Sequence, residues 1–243
     1  MSVRQLAGTT AIVTGASRGF GRAIAIALVE RGADVVGVAR DEALLSELRE
    51  KLGDAFSPEL ADVADPELPV RLISEYRPKT LVLNAGATPA VARLQEQTWE
   101  NFSTNWNVDV RQVFNFVRQS LTAPLDPGSV VVSLSSGAAL RGSPLSGGYA
   151  GAKATIRFIS AYARSEAERS AAGIRFVALL PQLTPATDLG RIYTEAYSGS
   201  RIAPANSSLS VDQVGTSVAD LATGGPYVAP AYVLTTAGLQ PLE

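Results

Sequence analysis

Short unbroken apolar runs alternate along the chain with longer segments whose apolar residues recur every three or four positions. Thr9 to Thr14 (Thr-Thr-Ala-Ile-Val-Thr) is continuous and β-branched. Gly15 interrupts it, and Gly19 to Arg31 then places Ile24, Ala25, Leu28 and Val29 on one face, predicting a strand followed by a helix that Gly32 closes. Asp34 to Ala39 and Asp41 to Lys51, the latter with Leu44, Leu45 and Leu48 on one side, repeat the unit. The alternation continues with a weaker strand near 55–61, a helix near 66–76, a strand from Thr80 to Asn84 and a long helix from about Thr98 to Leu121. A strand from Ser129 to Ser133, a second long helix from Tyr149 to Ala171 and a strand from Gly173 to Leu180 follow, and a helix near Val211–Leu221 and a strand near Tyr227–Leu234 complete the set.

Strands that stay apolar on both sides belong to sheets covered on both faces, so the repeated β–α unit predicts a doubly wound, parallel α/β sheet. A chain of 243 residues can build this around one core, so residues 1–243 read as a single domain. Thr184 to Ser210 breaks the rhythm with Pro185, Gly190, Gly199 and Pro204. Its place after a strand's carboxyl end predicts a substrate flap at about 184–210.

Composition narrows the chemistry. The 21 Lys and Arg against 23 Asp and Glu leave a formal charge of −2, which supplies no cationic field for nucleic acid or an anionic membrane. The sequence contains no His and no Cys. That removes disulfides, zinc and iron–sulfur sites of ordinary ligation, Ser-His and Cys-His nucleophiles and every imidazole proton shuttle. Proton transfer is left to Tyr, Lys, Ser and carboxylates. Met1 to Ala7 form no signal-peptide core and no run reaches the roughly 20 apolar residues of a membrane span, so a soluble, cytoplasmic protein is expected.

Where the first strand turns into the first helix stands Thr14-Gly15-Ala16-Ser17-Arg18-Gly19-Phe20-Gly21. Glycines there let backbone approach a phosphate, and a helix start offers unpaired N–H groups and the positive end of its dipole to an anion. The spacing differs from Gly-x-Gly-x-x-Gly, so its meaning comes from the strand before and the helix after; without them it is a tight turn. Gly15, Ser17, Arg18, Gly19, Phe20 and Gly21 are the candidate cofactor contacts. At the end of the second strand, where an acidic side chain would bind the ribose 2′-hydroxyl of NAD, the sequence has Arg40. Arg18 and Arg40 together suit a 2′-phosphate, which favours NADP(H) over NAD(H). Asp41 is open either to capping the next helix or to a surface pair. Asp62-Val63 can lie beside an adenine or make a turn, and Asn84-Ala85-Gly86 ends the fourth strand on the side where such sheets bind ligands.

Tyr149-Ala-Gly-Ala-Lys153 stands on the second long helix. With seven Tyr, a Tyr-x-x-x-Lys spacing arises by chance in about one such chain in twelve, so spacing alone is weak. Residues i and i+4 share a helix face, however. An ammonium about 4 Å from the phenol would favour phenolate by about 4 kcal/mol at an effective dielectric of about 20. That is enough to bring a tyrosine from about 10 to neutral pH, where it can exchange a proton with a carbonyl or alcohol oxygen. Elsewhere the same pair would be an ordinary exposed helix contact. Ser135-Ser136-Gly137 ends the fifth strand on the ligand side, where a serine hydroxyl either reaches the same oxygen or makes a turn.

Taken together, Thr14-Gly15-x-x-x-Gly19-x-Gly21, Asn84-Ala85-Gly86, Ser136 and Tyr149-x-x-x-Lys153 resemble the short-chain dehydrogenase/reductase family over nearly the whole chain. The resemblance implies a seven-stranded Rossmann-like fold and hydride transfer between NAD(P)H and a small carbonyl or alcohol substrate. It also implies a homodimer or homotetramer packed through the two long helices. It makes Tyr149 the acid/base, Ser136 the group that orients substrate, and Lys153 the residue that tunes Tyr149 and holds the nicotinamide ribose. Two positions depart from the family. Asp109 stands where a catalytic Asn is usual, with Asn107 two residues away; an ionised Asp near Lys153 would offset the cation, but the family's Asn acts largely through its backbone carbonyl, so reduced or retuned activity rather than its absence is expected. Pro181-Gln182 replaces the usual Pro-Gly, with Thr184 or Thr187 left to contact the carboxamide.

Leu140, Leu145, Ile192, Tyr193 and Tyr197, with Arg141, Arg191 and Arg201 nearby, are the expected walls of a site for an apolar or aromatic carbonyl. The expected function is an NADP(H)-dependent carbonyl reductase or alcohol dehydrogenase. The alternative, motivated by Asp109 and Gln182, is a catalytically impaired dinucleotide-binding regulator or scaffold.

Overall fold

The computed structural model describes residues 5–196 and 209–242. The first half runs β1 (Thr10–Thr14), α1 (Gly19–Glu30), β2 (Asp34–Ala39), α2 (Glu42–Leu52), β3 (Phe56–Leu60), α3 (Leu68–Tyr76) and β4 (Thr80–Leu83). Then come α4 (Trp99–Phe102), α5 (Arg111–Thr122), β5 (Val130–Leu134), α6 (Ala138–Arg141) and α7 (Gly147–Arg169). The chain ends with β6 (Arg175–Pro181), α8 (Asp188–Ala196), α9 (Val211–Ala222), β7 (Ala231–Thr235) and β8 (Gly238–Leu242).

One sheet has the order β3-β2-β1-β4-β5-β6-β7-β8, with seven parallel strands and β8 antiparallel to β7. Strand order reverses between β1 and β4, which opens a crevice at their carboxyl ends. Adjacent residues within each central strand feed opposite cores. Ala11, Val13, Val35, Val82, Val130 and Val132 pack with Ile24 and Leu28 of α1, Leu45 of α2 and Val214 and Val218 of α9. Ile12, Val36, Leu81, Leu83 and Val131 pack with Leu72 of α3, Phe116 of α5 and Ile156 of α7. Both faces being covered is the reason these strands show no polar alternation.

Two expectations change. The sheet has eight strands rather than seven, because Gly238-Leu-Gln-Pro-Leu242 folds back on β7 as an edge. The helix expected over Thr98–Leu121 is broken into α4, a π-helical turn at Trp106–Val110 and α5. Of the expected flap, α8 is described and Leu209 is buried in the core beside α9; Tyr197 and Arg201 lie outside the described residues. Among the described residues, no helix is long and apolar enough to cross a membrane.

Candidate active site

The glycine turn is held by a neutral polar network. Thr14 Oγ1 donates to Gln112 Oε1 at 2.9 Å and accepts from the backbone N–H groups of Asn84 and Ala85 at 2.9 and 3.1 Å. Gln112 Nε2 donates to the Ala85 carbonyl, and Asn84 Nδ2 donates to the Thr14 carbonyl at 3.0 Å. The Asn84 side chain thus fastens the end of β4 to the turn after β1. Gly15 and Gly21 are required by packing, since a Cβ on Gly21 would come within 2.0 Å of the Gly15 carbonyl oxygen. Gly19 differs: its φ of +54° favours glycine, and no atom stands within 4 Å of where its Cβ would be. The start of α1 has no side-chain cap and no acidic residue in its first turn. An open left-handed glycine beside uncapped helix N–H groups fits the diphosphate of a dinucleotide.

At the end of β2, Asp41 Oδ1 accepts from the Leu44 N–H at 3.0 Å, so this carboxylate caps α2. Arg40 is exposed and makes no ion pair among the described residues, while Arg18 lies 3.5 Å from Asp188 of α8. Asp62 Oδ1 accepts from the Ala64 N–H in a local turn, and Val63 is buried in the core beside Val36 and Val38.

Across the crevice, β5 and α7 bring Ser136, Tyr149 and Lys153 together. The Ser136 hydroxyl and the Tyr149 phenol line the same cavity, whereas Ser135 Oγ donates to the Lys153 carbonyl at 2.7 Å and so holds α7 against β5. Lys153 Nζ donates to the Leu134 carbonyl at 3.1 Å and pairs with Asp109 Oδ2 at 3.1 Å. Asp109 comes from the π-helical turn, and only 1% of it is exposed. Its other oxygen accepts from the Ala87 N–H at 2.8 Å and from Asn105 Nδ2 at 3.3 Å. Gly86 permits this arrangement, because a Cβ there would fall 2.8 Å from Asp109 Oδ2. Asn107 is exposed and donates to Ser103 Oγ instead.

This geometry overturns the expected tuning of the tyrosine. Lys153 Nζ lies 5.6 Å from the centre of the Tyr149 ring and is held by a carboxylate. Burial pushes the Tyr149 phenol up to about 12, the Ser136 hydroxyl works against that rise, and the Asp109 charge adds to it. Tyr149 is therefore a neutral phenol at physiological pH.

Ser136 and Tyr149 open into a cavity of about 450 Å³, which Phe20, Pro181, Thr184 and Gln182 also line. Its apolar wall includes Leu140, Pro144, Leu183, Leu189 and Val233, and Arg141 stands at the same cavity. Leu145 packs against the cluster of Tyr149 and Tyr193, Ile192 is half-buried away from the lining, and Arg191 pairs with Asp188. Tyr193 of α8 is buried 6.0 Å from Tyr149, centre to centre, and shares a 2.6 Å hydrogen bond with Ser146, which shares another with Ser143. Thr184 is buried, with its hydroxyl on the Gln182 carbonyl, and Thr187 Oγ1 donates to the Thr184 carbonyl. Gln112 and Asn105 escaped the sequence reading. Their signal was polar residues on the inward stripe of a helix: Asn105, Asp109 and Gln112 precede Val113 and Phe116.

Residues 9–197 match the family described as short chain dehydrogenase. The chain is 32% identical over 185 residues to an NADPH-dependent pterin aldehyde reductase of Arabidopsis thaliana, covering 72% of this chain and 75% of that protein. It is 32% identical over 161 residues to versicolorin reductase 1 of Aspergillus parasiticus, covering 63% of this chain but only 61% of that protein's length. In fold it is similar to a 3-ketoacyl-(acyl-carrier-protein) reductase from Brucella melitensis solved with NADH, with a TM-score of 0.77, 24% identity and coverage of 95% and 97% of the two chains.

Proposed function

The chain belongs to the short-chain dehydrogenase/reductase family, and from that premise we propose that it is an NADP(H)-dependent reductase of apolar or aromatic carbonyl compounds. The observation that carries this reading is that Ser136 and Tyr149 stand together at the wall of a largely apolar cavity at the carboxyl ends of the strands. Residues 1–243 then form one catalytic domain in which α8 covers the substrate.

Gly15, Ser17, Gly19, Phe20 and Gly21 would hold the diphosphate, and Arg18 and Arg40 the 2′-phosphate. Asp62, Val63, Asn84, Ala85 and Gly86 would border the adenosine and ribose, and Lys153, Pro181 and Thr184 the nicotinamide end. When bound, the reduced nicotinamide supplies the hydride that adds to the carbonyl carbon and is itself oxidised. Ser136 donates a hydrogen bond to the carbonyl oxygen. As the C=O π pair moves onto that oxygen, the O–H bond of Tyr149 breaks and its proton completes the alcohol. The resulting phenolate takes a proton from solvent.

NADPH oxidation by wild type and Tyr149→Phe, with aromatic ketones, aldehydes and small keto acids, tests this directly. The variant should lose about 10²–10⁴-fold in turnover while still binding NADPH, and hydrophobic ketones should exceed keto acids. Faster turnover of keto acids would refute the apolar pocket. The Asp109–Lys153 pair favours a second reading, a dinucleotide-binding protein with little turnover, and tight NADPH binding without turnover on any carbonyl would establish it. For the cofactor, Arg18→Ala with Arg40→Ala should weaken NADPH by about 10–100-fold more than NADH, since each lost charge-assisted hydrogen bond is worth about 1.5–3 kcal/mol before solvent screening. Equal losses would refute the phosphate assignment.

The same family reading gives a homodimer or homotetramer. Phe114 of α5 and Phe158 and Tyr162 of α7 are exposed apolar residues on the two long helices, which suits that packing.

A further inference from the structure

We propose that Asp109 is a positioning residue that neutralises Lys153 and so sets the site to give a proton from Tyr149, which is the direction of carbonyl reduction. This rests on the reading of Tyr149 as acid/base. Reduction needs a phenol at this position and alcohol oxidation needs a phenolate, so whatever holds the proton on Tyr149 decides the pH at which each direction runs. The overall equilibrium is untouched, because a catalyst changes both directions together.

The geometry is unusual for an ion pair meant only to steady two helices. Both partners are buried, with 6% of Lys153 and 1% of Asp109 exposed, and each is fixed by further bonds. Asp109 receives the Ala87 N–H and Asn105 Nδ2; Lys153 reaches back to the Leu134 carbonyl, one residue before the Ser135-Ser136 pair. The ammonium is therefore held 5.6 Å from the centre of the tyrosine ring with a full negative charge 3.1 Å away from it. Seen from Tyr149, the Asp109 charge opposes that of the Lys153 ammonium. A neutral partner at position 109 would leave the cation acting on the phenol.

Among the described residues, the other charged or titratable groups around Tyr149 come from α8 and α6. Tyr193 of α8 faces its ring, and Arg141 of α6 lines the same cavity. The loops after β4 and β6 contribute apolar Val91 and Leu183, and α6 adds Ala138. Burial and the Asp109 charge both raise the phenol, which agrees with the geometry.

The test is an ultraviolet titration of tyrosinate in the ligand-free protein, comparing wild type, Asp109→Asn and Asp109→Ser, each with and without Tyr149→Phe to isolate the Tyr149 step. Both Asp109 variants should bring that step down by at least about one pH unit. In the NADPH-loaded protein the alkaline limb of ketone reduction should move down with it, and oxidation of the corresponding alcohol at neutral pH should rise by about tenfold or more. A Tyr149 step in the folded variants within a few tenths of a pH unit of wild type would overturn the proposal. If neither variant folds, Asp109→Asn combined with Lys153→Met decides: a Tyr149 step within a few tenths of a pH unit of wild type supports charge cancellation, and a step raised by about one unit or more refutes it, because the cation had then been acting unopposed. Undiminished turnover by Tyr149→Phe would defeat the acid/base reading instead, while the titration would still report on Asp109.

Discussion

Two buried polar networks flank the crevice, and they are built differently. Around Thr14, Gln112, Asn84 and Ala85 every group is neutral, and the partners are mostly main-chain N–H and C=O. Around Asp109, Lys153, Tyr149 and Ser136 the network contains a full ion pair beside a phenol that opens into a cavity. The neutral network fixes the path of two loops. The charged one fixes a protonation state. Buried hydrogen bonds between neutral groups are costly to break and otherwise inert, whereas a buried charge acts on every titratable neighbour within reach.

That contrast makes ordered predictions. Asp109→Ala leaves the Lys153 ammonium buried without its counter-ion and should cost about 3–5 kcal/mol of stability in denaturant unfolding. A loss below about 1 kcal/mol would mean that Lys153 simply swings to solvent. Next comes the alkaline limit. The folded-state value of Tyr149, about 12, exceeds the unfolded value of about 10, so its contribution is complete below about pH 10 and lost as pH rises towards 12. Wild type should lose about 3 kcal/mol over that window through this group, and Tyr149→Phe should lack that part of the loss. The smallest effect is on the neutral side: Gln112→Ala strands the Ala85 carbonyl and should cost about 2 kcal/mol while leaving the Tyr149 titration unmoved. A shift of that titration in Gln112→Ala would erase the distinction between the networks.

Most of the fold was legible because its strands are covered on both faces, and unalternating apolar runs such as Val130–Val132 have no other good explanation. β8 was not, since Gly-Leu-Gln-Pro-Leu contains a proline and no β-branched residue and owes its conformation to pairing with β7 and to the packing of Leu239 and Leu242 against the core. The break before α5 was hidden for a related reason. Nothing local interrupts the periodicity there, and the π-helical turn places Asp109 against a lysine that arrives later from α7. At the site, sequence order singled out Ser136, Tyr149 and Lys153 as candidates, and the structure brings Ser136 and Tyr149 to one cavity with Lys153 buried one helical turn beyond Tyr149. The i,i+4 spacing could say that Tyr149 and Lys153 share a face, but not that Lys153 would be taken by a carboxylate from another helix. The direction of the tyrosine shift was consequently misread, although the departure at Asp109 had been noticed.

The missing side chain at Gly86 has a consequence for descent as well as for shape. Its bare α-carbon leaves room for the Asp109 carboxylate, and a methyl would be 2.8 Å from one of the acid oxygens. An alanine tolerated at 86 in a relative should therefore be accompanied by a changed residue at 109, so the two sites are expected to mutate as a linked pair.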